Sequence, residues 1–174
     1  MAKKVINPYL SVPHAGWGAQ THVFASGIES DLYSTALVLQ DGDVTSLIID
    51  IDACLFLIDQ ANDIRQALSI SLGIGTANIR LSVTHTHAGP IFWSDYYPAG
   101  SEASKEYFQY MLSQTLAAAS EAVENLVNVT VGAGWGSCSI GKNRRQLLES
   151  GTVVTGYNEE GIADPAVGAG RGGR

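Results

Sequence analysis

The segment Thr84 to Pro90 reads T-H-T-H-A-G-P and carries two of the four histidines of the chain. It closes an apolar run that starts at Ile79. In an extended strand, side chains two apart face the same way, with Cα atoms roughly 6.5 Å apart. Continued through the motif, that geometry would send His85 and His87 into one space and turn Thr84 and Thr86 away. Imidazole is a common zinc ligand, and two on one face can share a metal or divide the roles of ligand and proton carrier. Gly89 and Pro90 let the chain turn off sharply, leaving the strand end open, where α/β sheets bind ligands. The same spacing also suits two histidines hydrogen-bonded within a surface turn.

Zinc takes about four donors, one of them water at a catalytic site. His14 and His22 are the other histidines, both in the amino-terminal segment. Asp50 and Asp52 lie in the run S-L-I-I-D-I-D, where a buried carboxylate must be paired, hydrogen-bonded or metal-bound. Asp52 is therefore a candidate ligand or an acceptor for a histidine N–H; it equally suits a strand end facing water or the cap of a helix. Arg144, in K-N-R-R, could aim a guanidinium at a carboxylate or a developing oxyanion, or simply be solvated. In A-G-W-G, Gly16 and Gly18 would expose backbone N–H groups to a ligand or form an ordinary tight turn. No P-loop, dinucleotide fingerprint, G-x-S-x-G elbow or C-x-x-C pair occurs. Cys54, inside an apolar run, reads as a small buried hydrophobe.

These residues need elements to hold them. Leu32 to Leu39 and Thr45 to Ile51 read as a β-hairpin around the turn signal Asp41-Gly42. The second strand is nearly continuous in Leu and Ile, the pattern of a strand covered on both faces. Ile58, Ala61, Ile64, Ala67, Leu68 and Leu72 mark one face of a helix over Leu57 to Leu72, stopped by Gly73. A strand over Ile79 to Thr84 follows. A long helix over Ser104 to Leu126 presents Phe108, Met111, Leu112, Thr115, Leu116, Ala119 and Val123, and Asn128 to Gly134 returns as a strand. The fold class is α/β: a mixed β-sheet with packed helices, in the order β-β-α-β-α-β. Residues 1–162 form one domain. The Gly/Arg-rich stretch 163–174 has almost nothing to bury and reads as a flexible tail.

Composition agrees with a packed domain: 174 residues, 45% hydrophobic and 16% charged. Ten Lys and Arg against 17 Asp and Glu give a net charge of −7. No basic patch is available to neutralise phosphates, which argues against nucleic acid as a partner. The most apolar stretch, Leu47 to Ile58, is interrupted by two aspartates, far short of a transmembrane segment. Asn7 and Pro8 break any signal-peptide core, so the expected location is cytoplasmic. Two cysteines do not make a disulfide framework.

Several segments together resemble one family. T-H-T-H-A-G-P is similar to the T-H-T-H-S-G-P signature of the neutral/alkaline, non-lysosomal ceramidases and their bacterial relatives, with Ala88 in the serine position. V-I-N-P-Y-L-S-V-P-H-A-G-W-G resembles the family's opening segment, which leads into A-G-Y-G or M-G-Y. G-I-E-S-D-L-Y-S-T-A-L-V-L matches the following strand, although Glu29-Ser30 replaces the His-Asp often found there. I-D-I-D-A-C-L-F is similar to the strand whose aspartate precedes the first helix, and G-K-N-R-R to the later N-R segment. Order and spacing agree from about Val5 to Arg145.

The resemblance implies an incomplete amino-terminal α/β domain of a zinc-dependent amidohydrolase. The lipid amide ceramide would be cleaved to a sphingoid base and a fatty acid. It implies that His85 is a zinc ligand, that His87 lines the site near the reacting amide, that Arg144 takes part in activity, and that Gly16 contacts substrate. The family's remaining ligands, a later histidine, a glutamate and a tyrosine, would lie beyond residue 174, so the chain reads as a truncated or frame-shifted copy of a longer enzyme. A non-catalytic binding domain on the same fold, or a metal-dependent hydrolase of another small amide or ester, are the alternatives.

Overall fold

A computed structural model describes residues 1–14, 21–92 and 101–173. The chain divides into two compact units, Met1–Leu126 and Val127–Arg174.

The first unit is a four-stranded mixed sheet. β1 (Ala2–Val5), β2 (Tyr33–Asp41), β3 (Val44–Ile51) and β4 (Ile79–Val83) lie in that order across it. β1 and β2 pair antiparallel, as do β2 and β3, whereas β3 and β4 run parallel. The hairpin forms where Asp41-Gly42 predicts it, with Asp41 opposite Val44 and Gly42 at φ 54°. A parallel neighbour cannot follow through a tight turn. The crossover is α1 (Ile58–Leu72) and a short 3₁₀ turn, Thr76–Asn78. Gly73 ends α1 in the left-handed conformation at φ 69°, its N–H donating to the Ser69 carbonyl, a route closed to most side chains. The last element of the unit is α2 (Ser101–Glu124).

One face of the sheet makes the core. Leu47, Ile49 and Ile51 of β3 stand beside Val38, Ala36 and Ser34 of β2, and all six are buried. Ile64 and Leu68 of α1 and Tyr107, Met111, Ala118, Ala119 and Ala122 of α2 belong to the same cluster. The three alanines let α2 lie close to the sheet. The buried stripe is therefore centred on Tyr107, Met111 and Ala118. Leu112, Leu116 and Val123, expected in it, are only partly buried at its flank. Ile58, expected on the inner face of α1, is exposed.

Both helices cover that one face, so the expectation that β3 is covered on both sides is corrected. Ile48 and Asp50 point the other way and stay half-buried. Asp50 accepts a hydrogen bond from Ser82 Oγ at 2.8 Å, which satisfies that carboxylate within the sheet.

The second unit has two ribbons. β5 (Thr130–Ser137) pairs antiparallel with β8 (Ala166–Gly173), and β6 (Arg145–Leu147) with β7 (Val153–Thr155). The last stretch, expected to be a flexible tail, is thus a strand. Its alternating glycines need only backbone hydrogen bonds to pair with the equally Gly-rich β5, and Gly168 leaves room for the indole of Trp135 opposite it. Among the described residues, the hydrophobic core cluster runs from Ile6 to Ala122, within the first unit. Among the described residues, no helix is long and apolar enough to cross a membrane.

Candidate metal centre

Parallel pairing of β3 and β4 places their carboxyl ends side by side. Ile51 stands opposite Val83, and the Thr84 N–H donates to the Ile51 carbonyl at 3.1 Å. The segments leaving this edge, Asp52 to Cys54 and Thr84 to Pro90, are therefore neighbours. This is the crevice position of open α/β sheets.

The two histidines do meet, though not by strand alternation. β4 ends at Val83, and His85 adopts φ 58°, a left-handed conformation uncommon for residues other than glycine. The chain turns there, and the rings of His85 and His87 approach edge to face with centroids 5.1 Å apart. The Thr86 hydroxyl accepts the Ala88 N–H at 3.1 Å and closes the next turn. Past the motif the loop is tied down: His14 bridges Pro90, and the Ile91 N–H donates to the Pro13 carbonyl at 2.9 Å. Gly89 fits tightly, since a Cβ there would meet Thr86 Cγ2 at 3.3 Å and Leu32 Cδ1 at 3.4 Å. Beneath the loop, Phe92 stacks on Tyr107 and packs against Phe56. Gln60 links the start of α1 to the same loop, accepting the Leu57 N–H and donating to the Phe92 carbonyl.

The third member of the cluster is Cys54. One donor atom from each of Cys54, His85 and His87 lies within 4.8 Å of the others. Cys54 Sγ is 3.9 Å from His87 Nε2, and the Cys54 carbonyl accepts a hydrogen bond from His85 Nδ1 at 2.8 Å. Burial pushes the thiol pKa up. Sequence reading took Cys54 for a packing residue. The missed signal was its place just past one strand, parallel to the strand that delivers the histidines.

Asp52 has a different partner. Its Oδ2 accepts the Tyr33 N–H at 2.8 Å, and its own N–H donates to the Tyr33 carbonyl at 2.9 Å. The carboxylate thereby extends the β2–β3 ladder by one residue, and among the described residues it is not part of the close donor group. His14 and His22 form a separate pair, with centroids 6.5 Å apart, in a cleft of about 280 Å³ that Tyr9, Glu29 and Ala88 also line. Burial and the neighbouring His22 lower the pKa of His14. Arg144 belongs to the second unit, where it is exposed with its guanidinium 5.9 Å from the centre of the Tyr157 ring. Gly16 lies outside the described residues.

No protein-family model matches the chain, and no curated protein matches its sequence. Solved structures do match. A ceramidase complexed with C2 aligns with a TM-score of 0.68 at 18% identity, covering 84% of this chain and 24% of that one. The neutral ceramidase from Pseudomonas aeruginosa aligns with the same TM-score and identity, covering 83% of this chain and 24% of its own. The shared feature is the fold. This chain spans 24% of the length of either structure. The α/β architecture expected from the sequence is thus present, and it is one that ceramidases contain.

Proposed function

We propose that this chain is part of a zinc-dependent amidohydrolase of the neutral ceramidase type, acting on the N-acyl amide of a ceramide-like lipid to release a sphingoid base and a fatty acid. The observation that carries the reading is the convergence of His85, His87 and Cys54 at the carboxyl edge of β3 and β4, on a T-H-T-H-A-G-P loop. The ceramidase-like fold supports the choice of substrate class.

The donors suit the ion. Imidazole nitrogen and thiolate sulfur are zinc's preferred ligands, whereas magnesium and calcium take oxygen. A zinc ion held here would supply Lewis acidity toward an amide carbonyl and toward water. His85 is the ligand: its Nδ1–H is held by the Cys54 carbonyl, which leaves Nε2 with the lone pair. His87 stands beside it and carries protons to and from the reacting amide. The family resemblance assigns Arg144 a part in activity and Gly16 a contact with substrate. Asp52 acts indirectly, by fixing the chain that leads to Cys54.

The test is metal analysis of the purified chain and of His85→Ala, together with hydrolysis of a fluorescent ceramide. Zinc in the wild type and its loss in the variant are expected. Equal zinc in both would remove His85 from its role. Zinc binding with cleavage of short N-acyl amides but not of ceramide would refute the lipid substrate and leave the hydrolase.

A further inference from the structure

Cys54 is buried at the carboxyl end of β3, next to Ala53. Its sulfur faces the imidazole of His87 at 3.9 Å, and its carbonyl orients the ring of His85. The sulfur therefore meets ring nitrogen and not only hydrocarbon.

We propose that Cys54 is itself a ligand, binding through Sγ as a thiolate the same cation that His85 holds. This rests on the metal reading above and adds a sulfur donor beside the imidazole of His85. Donors sharing one tetrahedral zinc stand about 3.3–3.6 Å apart, given metal bonds of about 2.0–2.3 Å. The Cys54 sulfur and a ring nitrogen of His85 already lie within 4.8 Å of one another, so a side-chain rotation brings the pair toward that spacing. On binding, the Cys54 S–H bond breaks, its proton passes to solvent, and the sulfur lone pair forms the bond to the metal. One proton leaves per cation bound. Nothing is oxidised or reduced. Sulfur ligation also selects the cation: zinc, cobalt and cadmium fit, while magnesium and calcium do not.

Cobalt(II) reads this directly, because thiolate ligation adds a sulfur-to-cobalt charge-transfer band in the near ultraviolet. The protein is the full chain carrying Cys138→Ser, which removes the exposed second thiol. Addition of cobalt chloride is expected to produce the band at one equivalent. In Cys54→Ser/Cys138→Ser, with the fold checked by circular dichroism, the band should vanish and zinc affinity should fall at least about tenfold. Cobalt binding that depends on His85 but lacks the band would overturn the role of Cys54 while leaving the metal reading intact. A band that persists in the double variant, where no cysteine remains, would overturn it too. No binding of cobalt or zinc would overturn both. Should the double variant fail to fold, X-ray absorption on the zinc-loaded protein decides: a sulfur at about 2.3 Å supports the proposal and a shell of nitrogen and oxygen alone refutes it.

Discussion

His85 Nδ1 lies 2.8 Å from the carbonyl oxygen of Cys54. A carbonyl can only accept, so Nδ1 carries the hydrogen and the lone pair of the neutral ring sits on Nε2. The backbone of one strand end thus sets the tautomer of a histidine delivered by the next. His85 reaches that position through a left-handed backbone at φ 58°, a conformation that costs most L-residues roughly 1–2 kcal/mol and glycine almost nothing. Two variants separate ligand from strain. His85→Ala and His85→Gly should both lose zinc, as measured by atomic emission. In urea denaturation of the metal-free proteins, the glycine variant should be more stable than the alanine variant by about 1 kcal/mol. The reverse order would mean that the loop does not hold this conformation.

His87 should behave differently from His85. Its Nε2 is near Cys54 Sγ, but its proposed task is proton transfer, an effect worth about 10²–10⁴-fold in rate. In the intact enzyme, His87→Ala should therefore keep most of the zinc of the wild type while turnover of a fluorescent ceramide falls by a factor in that range. Loss of zinc in proportion to loss of turnover would make His87 a ligand instead.

Tyr107 predicts an alkaline limit to stability. Its side chain is fully buried, and its hydroxyl donates to the Ile6 carbonyl at 2.5 Å. Burial, followed by Tyr110 and Asp52, raises its pKa well above 10.0. The native state therefore keeps this proton more tightly than the unfolded chain does. The resulting stability is present in full below about pH 10 and declines as pH rises past that value. Tyr107→Phe leaves the Ile6 carbonyl without this donor and should cost about 1–3 kcal/mol at pH 7. The difference between variant and wild type should narrow above pH 10, as followed by urea midpoints. A constant difference would show that another group sets the alkaline limit.

Much of the first unit was readable because local signals and tertiary demands agree. The Asp41-Gly42 signal marks the two-residue hairpin turn at Gly42 and Asp43, Gly73 sits at a left-handed helix stop, and the apolar face of β3 points at both helices. β1 escaped notice because A-K-K-V is short and charged. Its lysines are held by partners distant in sequence: Lys4 pairs with Glu121 and Lys3 lies over the Tyr33 ring. β8 escaped for the opposite reason, since pairing through backbone alone leaves no hydrophobic pattern to read. Within the site, the histidine pair was visible from its motif but the route to it was not. A positive φ at a histidine has no sequence signature. Cys54 was correctly expected to be buried, but burial alone does not say what a sulfur faces; that follows from the parallel register that sets Ile51 against Val83.

His14 supplies the matching prediction on the acid side. Burial first, and the nearby His22 second, lower its pKa below 6.5. The unfolded chain therefore takes up a proton at this residue before the folded one does. The contribution is present in full above about pH 6.5 and is lost as pH falls through the lowered native value. His14 also anchors the histidine loop: its N–H donates to the Val23 carbonyl at 2.8 Å, and it bridges to Pro90. His14→Gln keeps a polar side chain without the titration. Urea midpoints at about pH 7.5 and pH 5 should show a smaller acid-induced loss in the variant than in the wild type. Equal losses would assign the acid sensitivity to other groups and leave the cleft of His14 and His22 without a part in it.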